Sequence, residues 1–547
     1  MRNIYLLCCL LGFVLSSSKS LAQVDQCLVH LDKSFYVSGE LMWFNLYLPV
    51  ANRGHAFTIR VGIVDKNGAT IETFFLATQG KSQANGYYKI PYNCNSGVYQ
   101  LVFIGMESST KSPVVLAKIA VPIYNDLEKL DLAQTTTSKS IPYPAYTLND
   151  IRVDIELDKA AYQNRETVQV LVRVKDKNGN PIKSNLSVSV SDWALSGASA
   201  LPKSSFEPGF SIPADGLSNQ VFAQVKLQHE TDNQGQNLVA IFFPQDWKML
   251  YTSSKQEVFT VEMPSFVGSK PIQFLGHPNP AIQVQLLDPF QSPASPALAY
   301  TPGILQYLEL SRQRKKIYQL YASLETQLKD EVIPESKIPL TPDRTLQMSE
   351  YESFEDLALF FREISTPLTL KLERKSGRYQ AKMYNPGNFI DYPSAPIFIL
   401  DGKVTRDADF IARLKTNQIE QIDLFYQPDQ LFANFKAIGR SGVVNIRSKS
   451  GMAIPADEEA DVFSINGLQT PVEFPTLLAD QLRTKTGQPF FRPQVYWNPN
   501  LETDAQGLAR FSFVQTDDWS HFQIEVLVQA ENGAFGRGVA EYKVTGN

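Results

Sequence analysis

Five histidines, His30, His55, His229, His277 and His521, and four cysteines, Cys8, Cys9, Cys27 and Cys94, are the residues of this 547-residue chain best suited to hold a metal. Zinc chemistry needs ligands presented together, as in His-Glu-x-x-His, and the histidines are dispersed with no such pair. A serine nucleophile would occupy Gly-x-Ser-x-Gly on a strand-to-helix turn, whereas Gly439-Arg440-Ser441-Gly442 brings its second glycine one residue early and no helix is expected after it. The same residues precede a strand, where a phosphate cradle needs a helix N-terminus. Asp65 and Asp176 each open Asp-Lys-Asn-Gly without the later bidentate Glu of a calcium loop, so both read as hairpin turns, as does Asp517-Asp518. No catalytic residue, metal site or cofactor is assigned from these patterns. The open alternative is an enzyme whose groups converge from distant segments.

The balance of 51 basic and 56 acidic residues gives a net charge of −5, with no basic excess for wholesale nucleic-acid or polybasic membrane binding. An apolar share of 43% against 20% charged excludes global disorder, and the length implies about three to five domains. Residues 1–22 read as a signal peptide: Arg2, an apolar run over 4–15, then Ser20-Leu21-Ala22, with cleavage expected before Gln23. That run falls short of the ~20 residues that span a bilayer, so no transmembrane helix is expected in the mature chain. A buried N-terminal helix is the competing reading. Cleavage would leave Cys27 and Cys94, an even pair that in an exported chain predicts a disulfide. It would close a loop of 67 residues (94 minus 27), constraining the unfolded chain by ~4 kcal/mol, with two unbridged thiols as the alternative. Val24-Asp25-Gln26 lacks the small, apolar context of a lipoprotein site.

The elements that must position any site are mostly strands. Segments 56–64, 98–105 and 114–122 are rich in Val, Ile and aromatics, and Asp-Lys-Asn-Gly at 65–68 and Asn-Gly at 85–86 supply turn signals, the pattern of an antiparallel sandwich. A phrase then repeats. Leu31-Asp32-Lys33 with Tyr36 and Glu40 returns 126 residues later (157 minus 31) as Leu157-Asp158-Lys159 with Tyr162 and Glu166, and Asp-Lys-Asn-Gly recurs at 176–179. The match argues for duplicated modules. In each, the tyrosine is expected to cover the sandwich edge, ring inside and hydroxyl at water. Segments 168–174 and 186–190 alternate apolar and polar side chains, which predicts one core face and one wet face per strand. The stretches LDKSFYVSGELMWFNLYL (31–48) and LDKAAYQNRETVQVLVRVKDKNGNPIKSNLSVSVSD (157–192) resemble macroglobulin-type β-sandwich domains of the alpha-macroglobulin and complement superfamily, especially in large exported proteins of Bacteroidetes. That family's covalent trap, a thioester in Cys-Gly-Glu-Gln, has no counterpart here, since Asn95-Ser96-Gly97 follows Cys94 and Leu28-Val29-His30 follows Cys27.

Strands continue at 237–243, 257–262 and 281–286. Thr301 and Pro302 then start a helix whose stripe of Leu305, Leu308, Ile317, Tyr321, Leu324 and Leu328 is interrupted by Arg312, Arg314, Lys315 and Lys316, a run read as a solvated face rather than a partner-contacting patch. Ser353 with Asp356 matches a capping box before Leu357, Phe360, Phe361 and Ile364. Further on come a strand, the Asp401-Gly402 turn and a second strand, then a strand over 419–426, and a last one after Gly439 and Gly442, glycines that supply positive φ or close backbone approach. Segments 395–405, 417–426 and 437–451 together resemble the plug domain of TonB-dependent outer-membrane receptors. A receptor barrel has about 22 strands of ~9 to 11 residues, and 98 residues follow Lys449 (547 minus 449), so the transporter itself is not expected. The tail over 493–538 resembles the closing segment of the same exported proteins; being short for a sandwich, it leaves room for completion by an earlier segment.

The expected fold is mainly β and multidomain. A signal peptide (1–22) precedes a macroglobulin-type, immunoglobulin-like antiparallel sandwich at 23–127, the N-terminal part of a second at 150–200 and a further sandwich at 201–295. A helical linker (301–333), a plug-like α+β domain (346–455) marked by Asp401, Gly402, Gly439 and Gly442, and a C-terminal β domain (460–547) follow. The resemblances imply a non-catalytic exported scaffold of the periplasm or outer membrane, docked through the plug-like domain to an outer-membrane barrel protein or lipoprotein, with no nucleic-acid partner. The alternatives are a hydrolase or peptidase-related enzyme with an unrecognised site, and an adhesin or inhibitor-like binder without a thioester.

Overall fold

The computed structural model describes residues 27–50, 53–128, 151–193, 204–207, 216–228, 237–254, 256–277, 283–290, 297–320, 340–451, 462–476 and 487–546. The signal-peptide segment and the far end of the expected helical linker lie outside the described residues. The fold is mainly β, and the chain divides into two compact units: Met1–Asn219 with Phe290–Lys329 and Gln469–Asn547, and Gln220–Pro289 with Asp330–Leu468.

In the first unit, one sandwich pairs two sheets around a shared apolar core. The four-stranded sheet runs in the order Ser204–Glu207, Cys27–Leu31, Leu41–Tyr47, Gln83–Lys89; the five-stranded sheet runs Tyr36–Val37, Pro113–Tyr124, Gly97–Met106, Thr58–Val64, Thr70–Ala77. Asn85-Gly86, expected to turn, instead lies inside Gln83–Lys89 opposite Asn45 and Phe44. A Cβ on Gly86 would stand 2.8 Å from Phe44 Cζ and 3.0 Å from Leu76 Cδ2, so this glycine admits a close side chain and makes no turn.

The second sandwich is assembled from two distant stretches of sequence. One sheet orders Leu508–Val514, Thr167–Asp176, Ile151–Leu157; the other orders Ala161–Gln163, Phe535–Thr545, His521–Ala530, Ser184–Asp192, Gln494–Glu502. Along Ser184–Asp192 the alternation holds, with Leu186, Val188 and Val190 in this core. The expected wet face is not wet, because Ser187, Ser189 and Ser191 are fully buried. Ser187 Oγ lies 2.6 Å from His30 Nδ1 and accepts from Tyr47 Oη at 2.9 Å, and Ser189 Oγ donates to Asp32 O at 2.6 Å. Leu28, Tyr47 and Leu527 close the same interface with apolar contact. Serine is small enough to let the two sandwiches approach and polar enough to be satisfied by backbone and hydroxyl partners, which a charged face would not permit.

The expected disulfide is not formed; Cys27 and Cys94 are unbridged. Leu28 pairs with Tyr47 and Tyr47 with Gln83, which places buried Cys27 at the level where Gln83–Lys89 begins. Cys94 comes after the other end of that strand, and six residues at ~3.4 Å each separate the two levels by about 20 Å, against the ~6 Å between Cα atoms that a disulfide spans.

The second unit contains the three-stranded sheet Val258–Met263, Val221–Gln228, Gln283–Leu287 and the four-stranded sheet Lys248–Ser254, Asn237–Phe243, Ser269–His277, Val462–Asn466. Beside the four-stranded sheet sits a mixed five-stranded sheet, ordered Arg344–Gln347, Ile419–Phe425, Val443–Ser448, Ile397–Leu400, Lys403–Thr405. Ile397–Leu400 runs parallel to Val443–Ser448 and is apolar at every position because both faces are covered. Ile397 and Ile399 pack with Phe242 and Trp247, while Phe398 and Leu400 pack with Phe360 and Ile411. The helix Leu357–Glu363 buries Leu357, Phe360 and Phe361 as expected, but its cap is Asp356, whose side chain accepts from Leu359 N, and not Ser353.

Gly86→Val should lower the denaturation free energy of the first unit by about 2 kcal/mol, through crowding of Phe44 and without any change of turn, as measured by urea unfolding. Without reductant, Cys94, half-buried with its thiol pKa raised mainly by burial, should alkylate slowly in the native protein, and Cys27 only on unfolding; intact mass reads both.

Candidate functional site

Asp32 follows the first strand and is fully buried. Its Oδ1 accepts from Tyr36 Oη at 2.5 Å and from Trp43 N at 2.9 Å. Lys33 N donates to Tyr36 Oη at 3.3 Å, while Lys33 Nζ and Val37 N donate to Glu40 Oε2 at 2.5 and 3.0 Å. The Asp, Lys, Tyr and Glu and their bonds recur 126 residues on (158 minus 32): Asp158 Oδ1 accepts from Tyr162 Oη at 2.7 Å and Gln169 N at 3.1 Å, and Lys159 N donates to Tyr162 Oη at 3.2 Å. Lys159 Nζ pairs with Glu166, whose Oε2 accepts from Gln163 N at 2.8 Å. The tyrosine hydroxyl expected at water is therefore the centre of a clasp that folds the strand end onto its neighbour.

The two clasps differ in their surroundings. Asp158 is exposed; what burial it has would raise its pKa, but the Tyr162 hydroxyl and the Gln169 amide outweigh that and hold it below the usual carboxylate range. At Asp32 burial outweighs the Lys33 charge and the bonds from Tyr36 and Trp43, and its pKa is pushed up to about 6. Asp32 Oδ2 is buried with no hydrogen-bond partner among the described residues.

The cover over Asp32 comes largely from the helix Pro302–Leu320, hereafter α1. Thr301 Oγ1 accepts from Ile304 N at 3.3 Å, and Ile304, Tyr307 and Leu308 pack with Phe35, Val37 and Tyr124. Tyr307 Oη donates to Glu40 Oε1 at 2.8 Å. The basic run read as a solvated face turns inward for the most part. Lys315 Nζ reaches Asp126 Oδ1 at 2.6 Å, Arg314 Nη2 reaches Asp518 Oδ1 at 2.7 Å, and Arg312 Nε donates to Asp126 O, while Lys316 is exposed. Asp518, read as a turn residue, is thus an ion-pair partner, and Asp517 pairs with Arg165 Nε at 2.7 Å. Between α1, the first clasp and segments 474–475 and 491–494 lies a cavity of about 160 Å³. Asp32, Lys33, Glu40, Trp43, Tyr92, Arg314, Lys315, Phe474, Arg492 and Gln494 are among its lining residues. Gln494 Nε2 donates to Tyr496 O at 2.8 Å, and its Oε1 is buried with no partner among the described residues. No contiguous motif announces this site; its one signal in the sequence is that the first copy of the repeat carries aromatic Trp43 where the second has Gln169.

The residues singled out in the plug-like segment lie in the second unit and shape turns. Asp401 and Gly402, at φ 48° and 84°, form the two-residue turn between Ile397–Leu400 and Lys403–Thr405, and Asp401 accepts from Ser448 N at 2.9 Å and Ser448 Oγ at 2.7 Å. Gly442 has φ 109° and lies where a Cβ would meet Met383 Cγ at 2.8 Å, and Gly439 closes the short helix Lys436–Gly439 against Phe435. The four residues are not brought together: the Asp401 turn sits at one end of Val443–Ser448, the two glycines at the other. Among the described residues, no three His, Cys, Asp or Glu side chains gather as metal ligands, and no helix is long and apolar enough to cross a membrane.

No family model and no curated protein matches the chain. Among solved structures it is similar to native alpha-2-macroglobulin of Escherichia coli, at 10% identity over 96% of this chain and 40% of that chain with a TM-score of 0.24. A Salmonella alpha-2-macroglobulin mutant matches at 9% identity over 96% and 40%, with a TM-score of 0.23. Dimeric latent PorU from Porphyromonas gingivalis matches at 9% identity over 47% and 33%, with a TM-score of 0.17. The chain spans about two fifths of the length of those macroglobulin structures.

Because the folded pKa of Asp32, about 6, lies above its ordinary 3.8, folding takes up a proton between these values, and the contribution of Asp32 to stability falls as pH rises through that window, by at most about 3 kcal/mol. Asp32→Asn removes this titration, so the difference in unfolding free energy between variant and parent should slope between pH 4 and 6 and level off above pH 7 in urea titrations.

Proposed function

We propose that the chain is a non-catalytic exported scaffold of the periplasm or outer membrane whose second unit docks onto an outer-membrane barrel protein or lipoprotein. The observation that carries the docking is a set of apolar side chains left at the surface of the plug-like segment: Phe389 is 82% exposed, Phe432 75% and Ile390 50%. They belong to neighbouring segments. The strand Tyr379–Asn385 leading to Phe389 is tied to the start of the helix Pro428–Asn434 through Asn385 Nδ2, which donates to Tyr426 O at 3.2 Å, and Tyr392 Oη donates to the same oxygen at 2.6 Å. Large rings held out by a well-bonded framework favour a protein partner over the role of spacer. Both faces of the mixed sheet are occupied within the unit, so the docking contact falls to these loops and not to a sheet face. The repeated Leu-Asp-Lys clasp and the sandwiches built on it support the macroglobulin-type reading of the first unit. The cavity beside Asp32 favours a second reading as well, a binder without a thioester.

Crosslinking of whole cells followed by mass spectrometry should recover an outer-membrane barrel or lipoprotein with the parent chain. The double variant Phe389→Asp, Phe432→Asp should lose that partner at least tenfold while keeping its circular dichroism. Recovery of no envelope partner, or recovery unaffected by the double variant, would sink the docking reading.

A further inference from the structure

We infer that the cavity beside Asp32 is a saccharide site that takes one neutral sugar ring. This goes beyond the docking reading and does not rest on it, because every residue involved belongs to the first unit.

Two buried oxygens line the cavity without a hydrogen-bond partner, Asp32 Oδ2 and Gln494 Oε1. Asp32 is 0% exposed and Gln494 6%, so neither is a surface group waiting for bulk water. A buried acceptor left unmade is costly, and both atoms are acceptors, so the occupant must bring donors. The charges of the wall then narrow the class. Lys33, Lys89, Arg314, Lys315 and Arg492 are cations at the cavity, which disfavours an ammonium or guanidinium guest by like-charge repulsion. Lys33, Arg314 and Lys315 are paired with Glu40, Asp518 and Asp126 respectively, and Arg492 Nη1 donates to Pro475 O, so at these four an anionic guest would compete with acceptors in place, while Lys89 is exposed. Neutral hydroxyl donors meet the two oxygens without either conflict.

The remaining walls fit the apolar face of a sugar ring. Trp43 and Phe474 pack edge to face at 5.6 Å, and the Tyr92 ring carries Lys315 Nζ 5.5 Å from its centroid, so aromatic surface borders the polar end of the cavity. Aromatic walls with a few converging polar atoms describe a small-molecule pocket. The second copy of the clasp supplies the contrast. Asp158 makes the same bonds in the open, with Gln169 in place of Trp43. Clasp geometry alone therefore does not account for the chamber.

The test uses the full chain, with methyl glycosides of D-glucose, D-galactose, D-mannose and N-acetyl-D-glucosamine as probes, read by saturation-transfer NMR and calorimetry. Lysine methyl ester and inorganic phosphate serve as cationic and anionic comparisons. At least one glycoside should bind with saturation on its ring protons, and Gln494→Leu and Phe474→Ala should each weaken it at least tenfold with unchanged unfolding midpoints. Phe474 is only partly buried, so its variant keeps the test valid if a change at Gln494 disturbs the fold. The inference is overturned if no glycoside binds, if lysine methyl ester or phosphate binds and the sugars do not, or if sugar binding survives both substitutions.

Discussion

A carboxylate shut away from water must be met by donors, and the way Asp32 is met ties the first unit together. Trp43 N comes from the neighbouring strand and Tyr36 Oη from the short strand Tyr36–Val37 that follows, so one oxygen fixes how the chain leaves its first strand. The carbonyl of the same residue accepts from Ser189, which belongs to the other sandwich. Glu40, holding Lys33 and Val37, is in turn bonded by Tyr307 of α1. Sandwich, sandwich and helix thus converge on a few polar atoms in a dry place, where each bond left unmade costs about 1 to 3 kcal/mol. The twin at Asp158 makes the same bonds in the open. The clasp is a device of the module; what is particular to the first copy is its cover.

The strand pattern and the repeat were legible because both are local. Period-two alternation placed Val168 to Val174 and Leu186 to Val190 in strands, and the shared spacing of Asp, Lys, Tyr and Glu carried an identical set of bonds. What could not be read depends on which strand meets which over long stretches of sequence. Ser187, Ser189 and Ser191 look like a wet face until the first sandwich is laid against them. Asn85-Gly86 carries turn chemistry, and only the position of Phe44 across the sheet explains the glycine. Arg314 and Lys315 look solvated until Asp518 and Asp126 are seen opposite. An even count of cysteines says nothing of the strand length that separates Cys27 from Cys94.

In the second unit the unbroken apolar run of Ile397–Leu400 was a better guide than any single residue, since only a strand covered on both sides needs it. Asp401 and Gly402 make the turn at one of its ends, Gly442 takes a positive φ near the other, and Gly439 ends a short helix. The cavity had no motif to betray it, because its walls come from the first clasp, from α1 and from the segments around Phe474 and Gln494, brought together only by folding.

The assembly of the second sandwich sets an order of events. Strand Ser184–Asp192 has as its two neighbours Gln494–Glu502 and His521–Ala530, both made about 300 residues later. The first sandwich and the hairpin of Ile151–Leu157 with Thr167–Asp176 can form while the chain is still being synthesised, but this strand cannot find either neighbour until the whole inserted second unit has been made. For that interval both its edges and its valine face are bare, the condition in which chains stick to one another. A nascent chain halted anywhere between the two stretches therefore carries an unfinished sheet with an adhesive edge.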